Sequence, residues 1–471
     1  MSVPTSATAP APRASSARHF PAGFVWGAAT AAFQIEGANT EDGRSPSIWD
    51  TLCERPGAVL DASDGSVACD HYHRWESDLD LLAGLGLSAY RFSLSWPRIV
   101  PGGKGEANEK GLAFYDRLVD GLLERGITPY ATLYHWDLPQ VLEDKGGWRN
   151  RDTALRFAEY AAVTQHRLGD RVKHWATLNE PWCSAFLGHA SGEHAPGRTD
   201  PAEAVVASHH LLLGHGLATE ALHGGRRPAE VGIVLNHYDV SPLTDSPADV
   251  DAARRLDGQQ NRWWLDALYK GAYPADIVED VSRWTDMSFV HDGDLETIST
   301  RLDWMGVNYY SSFVVRGLDA PAPAGARPTP WIGCEDVEIV PNGEPVTHMG
   351  WDVVPSGLTK VLERIQNDYD APPIYITENG AAYDDVVVDG QVEDADRTAY
   401  IDAHLRAALD AIDHGVDLRG YFVWSLMDNF EWAWGYTRRF GVVRVDYDTL
   451  ERTPKASAHA YAAIARENGW A

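Results

Sequence analysis

The chain has 471 residues, a formal net charge of -28, and 18 Trp and 19 Tyr against 12 Phe. That acidity argues against nucleic acid or an anionic membrane surface as a partner, since both call for a basic patch, and no run of ~18 apolar residues is present to span a bilayer. The four cysteines, Cys53, Cys69, Cys183 and Cys334, lack CxxC spacing and read as free thiols of a reducing, cytoplasmic compartment, neither a disulfide framework nor a zinc ribbon.

Residues 1–18 are Ala, Ser, Pro and Thr with scattered Arg. They have no apolar h-region, so a disordered tail is expected ahead of one domain over residues 19–471. From there short β-rich runs alternate with amphipathic helical runs. The strands are expected at Phe24–Ala28, Ala89–Leu94, Thr128–Tyr134, His174–Leu178, Val231–Asn236, Trp304–Asn308, Ile374–Thr377 and Gly420–Trp424. Helices are expected at Arg74–Leu85, Asn108–Arg125, Thr153–Leu168, Ala202–Leu222, Arg397–His414 and Ala456–Glu467. Eight such β/α units point to an α/β fold, a single-domain (β/α)8 TIM barrel. A doubly wound open sheet would need a Gly-rich turn after the first strand, and Ala28-Ala29-Thr30-Ala31-Ala32 stands there instead. Gly102-Gly103-Lys104-Gly105 lacks P-loop spacing. The Pro- and Gly-rich stretch Ser311–Pro355 reads as one long connection of the kind that shapes binding sites.

Barrel active sites lie at the C-terminal ends of the strands. There the sequence places Gln34 and Glu36, Arg91, His135 and Trp136, Asn179, Glu180 and Trp182, Asn308, Tyr309 and Tyr310, Glu378 and Asn379, then Trp424 with Glu431 and Trp432 beyond it. A single strand-end glutamate is as a rule a salt-bridge partner or a cap, and a single Trp is ordinary packing. Here carboxylates, amides, one Arg and several Trp converge on one mouth. Carboxylates and amides fork onto sugar hydroxyls, and an indole stacks on a sugar ring. Two glutamates across the mouth could flank a glycosidic bond, at ~5–5.5 Å if the enzyme retains configuration. At that spacing they repel by roughly 3 kcal/mol, about two pKa units, so one stays protonated while the other is ionised. His71-Tyr72-His73 has no third ligand, and neither metal nor cofactor is expected.

Three segments closely resemble glycoside hydrolase family 1, the β-glucosidase family, and the resemblance runs from about His19 to the C-terminus. Phe24 to Gly37 (FVWGAATAAFQIEG) resembles the family's N-terminal signature, Thr177-Leu178-Asn179-Glu180-Pro181 its acid/base motif and Ile376-Thr377-Glu378-Asn379-Gly380 its nucleophile motif. The resemblance implies a retaining β-glycosidase acting on terminal β-D-glucosyl residues of aryl glucosides and short oligosaccharides. It makes Glu180 the acid/base and Glu378 the nucleophile, the latter supported by Arg91, Tyr310 and Asn308. It gives Gln34, His135, Trp136, Asn179, Trp424, Glu431, Trp432 and Phe440 to the non-reducing sugar, and Trp182 and Trp351 to the leaving group. Glu431-Trp432 in the last loop further implies an unphosphorylated sugar, repelled from this site if it carried a 6-phosphate. A member preferring galactose or fucose, or a sugar-binding barrel without catalysis, would keep the same mouth. The partner is a small β-glycoside, and a homo-oligomer is compatible with all of this.

Overall fold

The computed structural model describes residues 18–225, 227–320 and 327–470. Eight parallel strands close on themselves: β1 (Val25–Ala29), β2 (Ala89–Ser93), β3 (Thr128–Tyr134), β4 (His174–Asn179), β5 (Glu230–Asn236), β6 (Trp304–Asn308), β7 (Ile374–Asn379) and β8 (Leu418–Trp424). Each pairs with its neighbours in sequence, β8 pairs with β1, and β6 with β7. The principal covering helices are α1 (His71–Gly84), α2 (Glu109–Glu124), α3 (Arg151–Leu168), α4 (Pro201–His223), α5 (Trp263–Lys270), α6 (Pro355–Tyr369), α7 (Ala395–Asp413) and α8 (Ala456–Glu467). This is the TIM barrel that the alternation of the sequence pointed to.

The strands are covered on both faces, so they read as continuous apolar runs without alternation; β2 and β7 are buried at every residue. The barrel interior is a packed layer in which Tyr130, Trp304, Tyr375 and Phe422 fit against the small Ala29, Ala89 and Ala176. The Tyr130 ring lies 5.0 Å from Phe422 and 6.3 Å from Trp304. Removing one such ring, as in Phe422→Ala, would cost about 3–5 kcal/mol. Tyr310, Trp424 and Phe440 belong to the same cluster and carry it up to the C-terminal ends of the strands. The site thus rests on the core, and packing fixes its aromatic walls.

Helix starts follow local chemistry. Asn108, which the sequence placed inside a helix, is instead the cap of α2, its side chain accepting from the Lys110 N–H at 3.3 Å. Asp200 caps α4 by accepting from Ala202 N–H at 2.9 Å, with Pro201 at the first helical position. Of the tail expected over residues 1–18, residues 1–17 lie outside the described residues, and Arg18 pairs with Trp470 in a short antiparallel strand. The stretch Ser311–Pro355 is not one irregular connection. It holds strands Ser312–Gly317 and Val337–Val340, which join Asp239–Pro242 in a three-stranded sheet. The period-two pattern there is short and interrupted by Pro and Gly, which concealed it. Among the described residues no helix is long and apolar enough to cross a membrane.

Candidate active site

Backbone irregularities at two strand ends aim the two glutamates. The register of β4 against β5 shifts between Ala176 and Asn179, and Glu180 takes φ 45 in the left-handed region. In a regular strand, adjacent side chains point to opposite faces. The bulge and the left-handed turn bring both Asn179 and Glu180 into one polar network. Trp136 (φ 81) and Trp432 (φ 45) are held the same way. Each such non-glycine residue costs about 1–3 kcal/mol, which the surrounding structure must offset. In β7 the register shifts beyond Ile376. Glu378 points inward and Asn379 outward, where Asn379 donates to Tyr309 O at 2.6 Å and accepts from Tyr421 Oη at 2.6 Å. Gly380 follows because a Cβ there would sit 1.7 Å from the Trp424 carbonyl oxygen.

A continuous hydrogen-bond chain joins the two carboxyl groups. Arg91 donates to Glu378 Oε1 at 2.7 Å and to Asn179 Oδ1 at 2.6 Å. Asn308 donates to Asn179 Oδ1 at 3.1 Å and to Glu180 Oε1 at 2.7 Å. Thr377 fixes the Asn308 amide by donating to its Oδ1 at 2.8 Å. Tyr310 Oη donates to Glu378 Oε2 at 2.7 Å, and the Cys183 thiol donates to Glu180 Oε2 at 3.2 Å. Asn308 was expected to support Glu378. Its direct hydrogen bond goes to Glu180, because it ends β6 and points across towards β4, although its amide also acts to lower the Glu378 pKa.

Protons follow from burial and neighbours. Burial first, then the charge of Glu378, pushes Glu180 up to about 8, while Asn308, Cys183 and Arg91 pull the other way. The sequence argument credited repulsion; desolvation is the larger cause and repulsion the second. Burial also raises Glu378, opposed by Arg91, Tyr310 and Asn308. Those three donors favour ionisation of Glu378 over Glu180. Glu431 is a third buried acid, pushed up to about 8 by burial and then by the charges of Glu378 and Glu180. Near neutrality one charge, on Glu378 and against Arg91, therefore serves three carboxyl groups. His135 is held neutral, its pKa far below the usual range through burial and then Arg91. Its Nε2 faces the Asn179 amide at 3.1 Å, so the ring proton sits on Nδ1, which has no protein partner.

A cleft of about 150 Å³ opens above this network. His135, Trp136, Glu180, Trp182, Tyr310, Trp351, Glu378, Trp424, Glu431, Trp432 and Phe440 line it. Gln34, Arg91, Asn179 and Asn308 stand behind the lining. Gln34 donates to Phe430 O at 2.8 Å and reaches Glu431 Oε2 at 3.5 Å, which leaves its own Oε1 buried without a partner. Trp136 spends its indole N–H on Asn179 O at 2.8 Å and packs against Trp432 at 4.5 Å. The imidazole of His135 stacks between Trp424 and Trp432, at 5.7 and 5.9 Å. The cleft also has linings that the sequence did not single out, Glu193, His194, Asn236, Tyr238, Met349 and Trp434 among them, and Cys183, one of the four thiols already noted, joins them. Asn236 ends β5 and Tyr238 follows it, so the strand-end rule applied to the fifth strand would have found both. Cys183 stands three residues, one helical turn, after Glu180.

Among the described residues no group of three or more His, Cys, Asp or Glu is arranged to hold a metal ion. In the His71-Tyr72-His73 stretch, His71 pairs with Asp78 at 2.8 Å and His73 with Asp70 at 2.6 Å. Glu36, another strand-end carboxylate, is engaged in a buried pair with Arg98 at 2.9 Å and accepts from Tyr115 at 2.6 Å.

The sequence profile of Glycosyl hydrolase family 1 matches residues 16–470 of this chain. Beta-glucosidase A of Thermotoga maritima is 46% identical over 455 residues, covering 96% of this chain and 99% of that protein. A bifunctional beta-D-glucosidase/beta-D-fucosidase of Bifidobacterium breve is 46% identical over 454 residues, covering 94% of this chain and 97% of that protein. Among solved structures, the psychrophilic beta-glucosidase of Micrococcus antarcticus superposes with a TM-score of 0.93 at 49% identity, covering 96% of this chain and 98% of that one.

Proposed function

The chain belongs to glycosyl hydrolase family 1 and is a retaining glycoside hydrolase of the β-glucosidase type, and from that premise we propose that it releases terminal β-D-glucosyl residues from aryl glucosides and short β-linked oligosaccharides by double displacement. Glu378 attacks the anomeric carbon while Glu180 protonates the leaving oxygen, giving a covalent glycosyl-enzyme that water then opens with Glu180 as base. One observation carries the assignment: a carboxyl held up at about 8 shares one cleft and one hydrogen-bond chain with a carboxylate paired to Arg91. The proton of Glu180 belongs on Oε2, since Oε1 accepts from the Asn308 amide at 2.7 Å and Oε2 only from the weaker Cys183 thiol. Esterification of Glu378 removes the repulsion that raises Glu180, so Glu180 then gives up its proton more readily and suits the base role.

Trp424 is the stacking surface for the glucosyl ring, with the free Nδ1–H of His135 and the carboxyl of Glu431 as hydroxyl partners. Trp182 and Trp351 line both the cleft and a neighbouring lobe, which suits the leaving group. The expected rejection of a 6-phosphate has a different origin from the one first drawn. With Glu431 up at about 8, its charge is largely absent at neutral pH. Rejection comes instead from a lining that, among the described residues, contains no Lys or Arg to pair with a phosphate. The bifunctional relative supports fucosides as second substrates, because D-fucose differs from D-glucose only in the configuration at C4 and the missing 6-hydroxyl, which change few contacts. Four unpaired thiols, three of them buried, support a reducing location such as the cytoplasm.

The test is product stereochemistry and rescue. The sugar first released from 4-nitrophenyl β-glucoside is expected as the β-anomer by NMR. Glu378→Gly with azide is expected to yield the α-glycosyl azide, and Glu180→Ala with azide the β-azide. Release of α-glucose by the wild type, or near-normal turnover of either variant, would refute the assignment.

A further inference from the structure

The cleft does not end at the leaving-group tryptophans. Past Trp182 and Trp351 it continues into a lobe of about 370 Å³ walled by Tyr238, Phe313 and Trp331. A second, smaller lobe leaves beside Trp434. Glu193, in the connection after β4, borders the cleft and both lobes. It is half-buried and has no ion-pair partner among the described residues. Asp352 stands in the same outer lobe. Its carboxylate takes one long hydrogen bond, from Asn342 N–H at 3.4 Å, and no cation. Among the described residues no Lys or Arg lines the cleft or this lobe, and Arg327, in the smaller lobe, is the one cation at the mouth. A further polar atom is left open here: the indole Nε1–H of Trp182, a residue only 5% exposed, has no protein partner.

Of the carboxyl groups around this space, Glu378 is matched by Arg91 and Glu180 is held protonated, so neither presents net charge to a leaving group near neutrality. Glu193 and Asp352 are uncompensated. They face a wall of low polarizability, where a fixed charge acts more strongly than on open surface. We propose that Glu193, together with Asp352, sets leaving-group specificity. On this reading the outer lobe selects β-glucosides whose aglycone carries an ammonium group, on an amino sugar or an aminoalkyl arm, and disfavours those carrying a carboxylate. The inference rests on the glucosidase reading above. It adds a charge class of aglycone and the two residues that impose it.

The experiment compares kcat/KM for 4-hydroxymethyl-, 4-aminomethyl- and 4-carboxymethyl-phenyl β-glucoside at low ionic strength and in 0.5 M salt. The hydroxymethyl compound is the internal reference for each variant. The wild type is expected to favour ammonium over carboxylate by about tenfold at low salt, with the ratio shrinking severalfold at high salt. Glu193→Gln and Asp352→Asn should each lower the ratio about threefold, and Glu193→Lys should invert it. Each substitution changes one or two charges in a chain of net charge -28, so a bias arising from the whole surface would survive them. An ammonium-to-carboxylate ratio within twofold of the wild type in both Glu193 variants would overturn the inference while leaving the glucosidase reading intact. Failure of the wild type to hydrolyse the neutral reference would overturn the glucosidase reading itself.

Discussion

Glu180→Gln should abolish most turnover and at the same time stabilise the protein, by an amount that grows with pH. In the folded state burial and the neighbouring Glu378 charge push Glu180 up from 4.5 to about 8. The sign follows from linkage. Between these values the folded chain holds a proton that the unfolded chain releases, so stability falls as pH rises from 4.5 through 8. The cost at this one residue is under about 1 kcal/mol at pH 5 and about 3 kcal/mol at pH 7. Glutamine occupies the same volume, still accepts from Asn308, and does not titrate; the Cys183 thiol can turn and accept from the new amide. The advantage of the variant should therefore widen by about 2–3 kcal/mol between pH 5 and 7. At this chain length that is about 2–3 °C in Tm. Scanning calorimetry at one scan rate from pH 5 to 8, beside kcat on an aryl glucoside with a poor leaving group, checks both halves. The expected loss in kcat is about 10²–10⁴-fold. A Tm difference that stays flat or shrinks with rising pH would refute the account of how this proton is held.

The remaining predictions concern the same network. kcat/KM should be bell-shaped, its alkaline limb near pH 8 as Glu180 ionises and its acid limb above pH 4.5 as Glu378 protonates; a plateau beyond pH 9 would contradict this. Tyr310→Phe removes the 2.7 Å donor to Glu378 Oε2. It should move the acid limb upward and lower kcat/KM by about 10–100-fold, the worth of a hydrogen bond to a charged group. Cys183→Ala removes a donor that lowers the Glu180 pKa, so the alkaline limb should shift to higher pH, as read from a pH–rate profile. A 6-phosphoglucoside should react at least 100-fold more slowly than the plain glucoside at pH 7, and Glu431→Gln should leave most of that discrimination in place. If that substitution instead erased it, the charge of Glu431 would be the cause after all.

The barrel was legible because its signal is repeated. Runs such as Ala89–Ser93 and Ile374–Asn379 are buried throughout, and eight of them spaced by amphipathic helices admit few folds. The mouth was legible for a related reason, since a residue at the end of a parallel strand points to one face of the barrel wherever it falls in sequence. What escaped was conformation and electrostatics. Nothing in Asn179-Glu180-Pro181 announces a bulge or a left-handed φ at Glu180, because neither is a property of residue type. The same holds for Trp136 and Trp432. The direct bond of Asn308 to Glu180, beside its influence on Glu378, was not legible because strand-end residues name a face and not a partner. Glu193 lies in a connection, where sequence offers no rule for direction.

The protonation pattern shows why that missing information matters. To pairwise repulsion alone, Glu180, Glu378 and Glu431 are three equivalent carboxylates, each raised by the others. The structure distinguishes them by donors. Glu378 receives Arg91 and the Tyr310 hydroxyl, Glu180 receives one amide and one weak thiol, and Glu431 receives a single long contact from Gln34. Charge settles where the strongest donors converge, and the other two groups keep their protons. The roles of acid and nucleophile thus depend less on the two glutamates than on Arg91 within β2, Asn308 at the end of β6 and Tyr310 just beyond it. Exchanging those donors should exchange the ionisation order. Arg91→Met is therefore expected to raise the Glu378 pKa sharply, draining the charge from the nucleophile and collapsing the acid side of the pH profile, while both glutamates stay in place. A pH–rate profile with an unmoved acid limb in that variant would show that the distribution of charge in this cleft has another source.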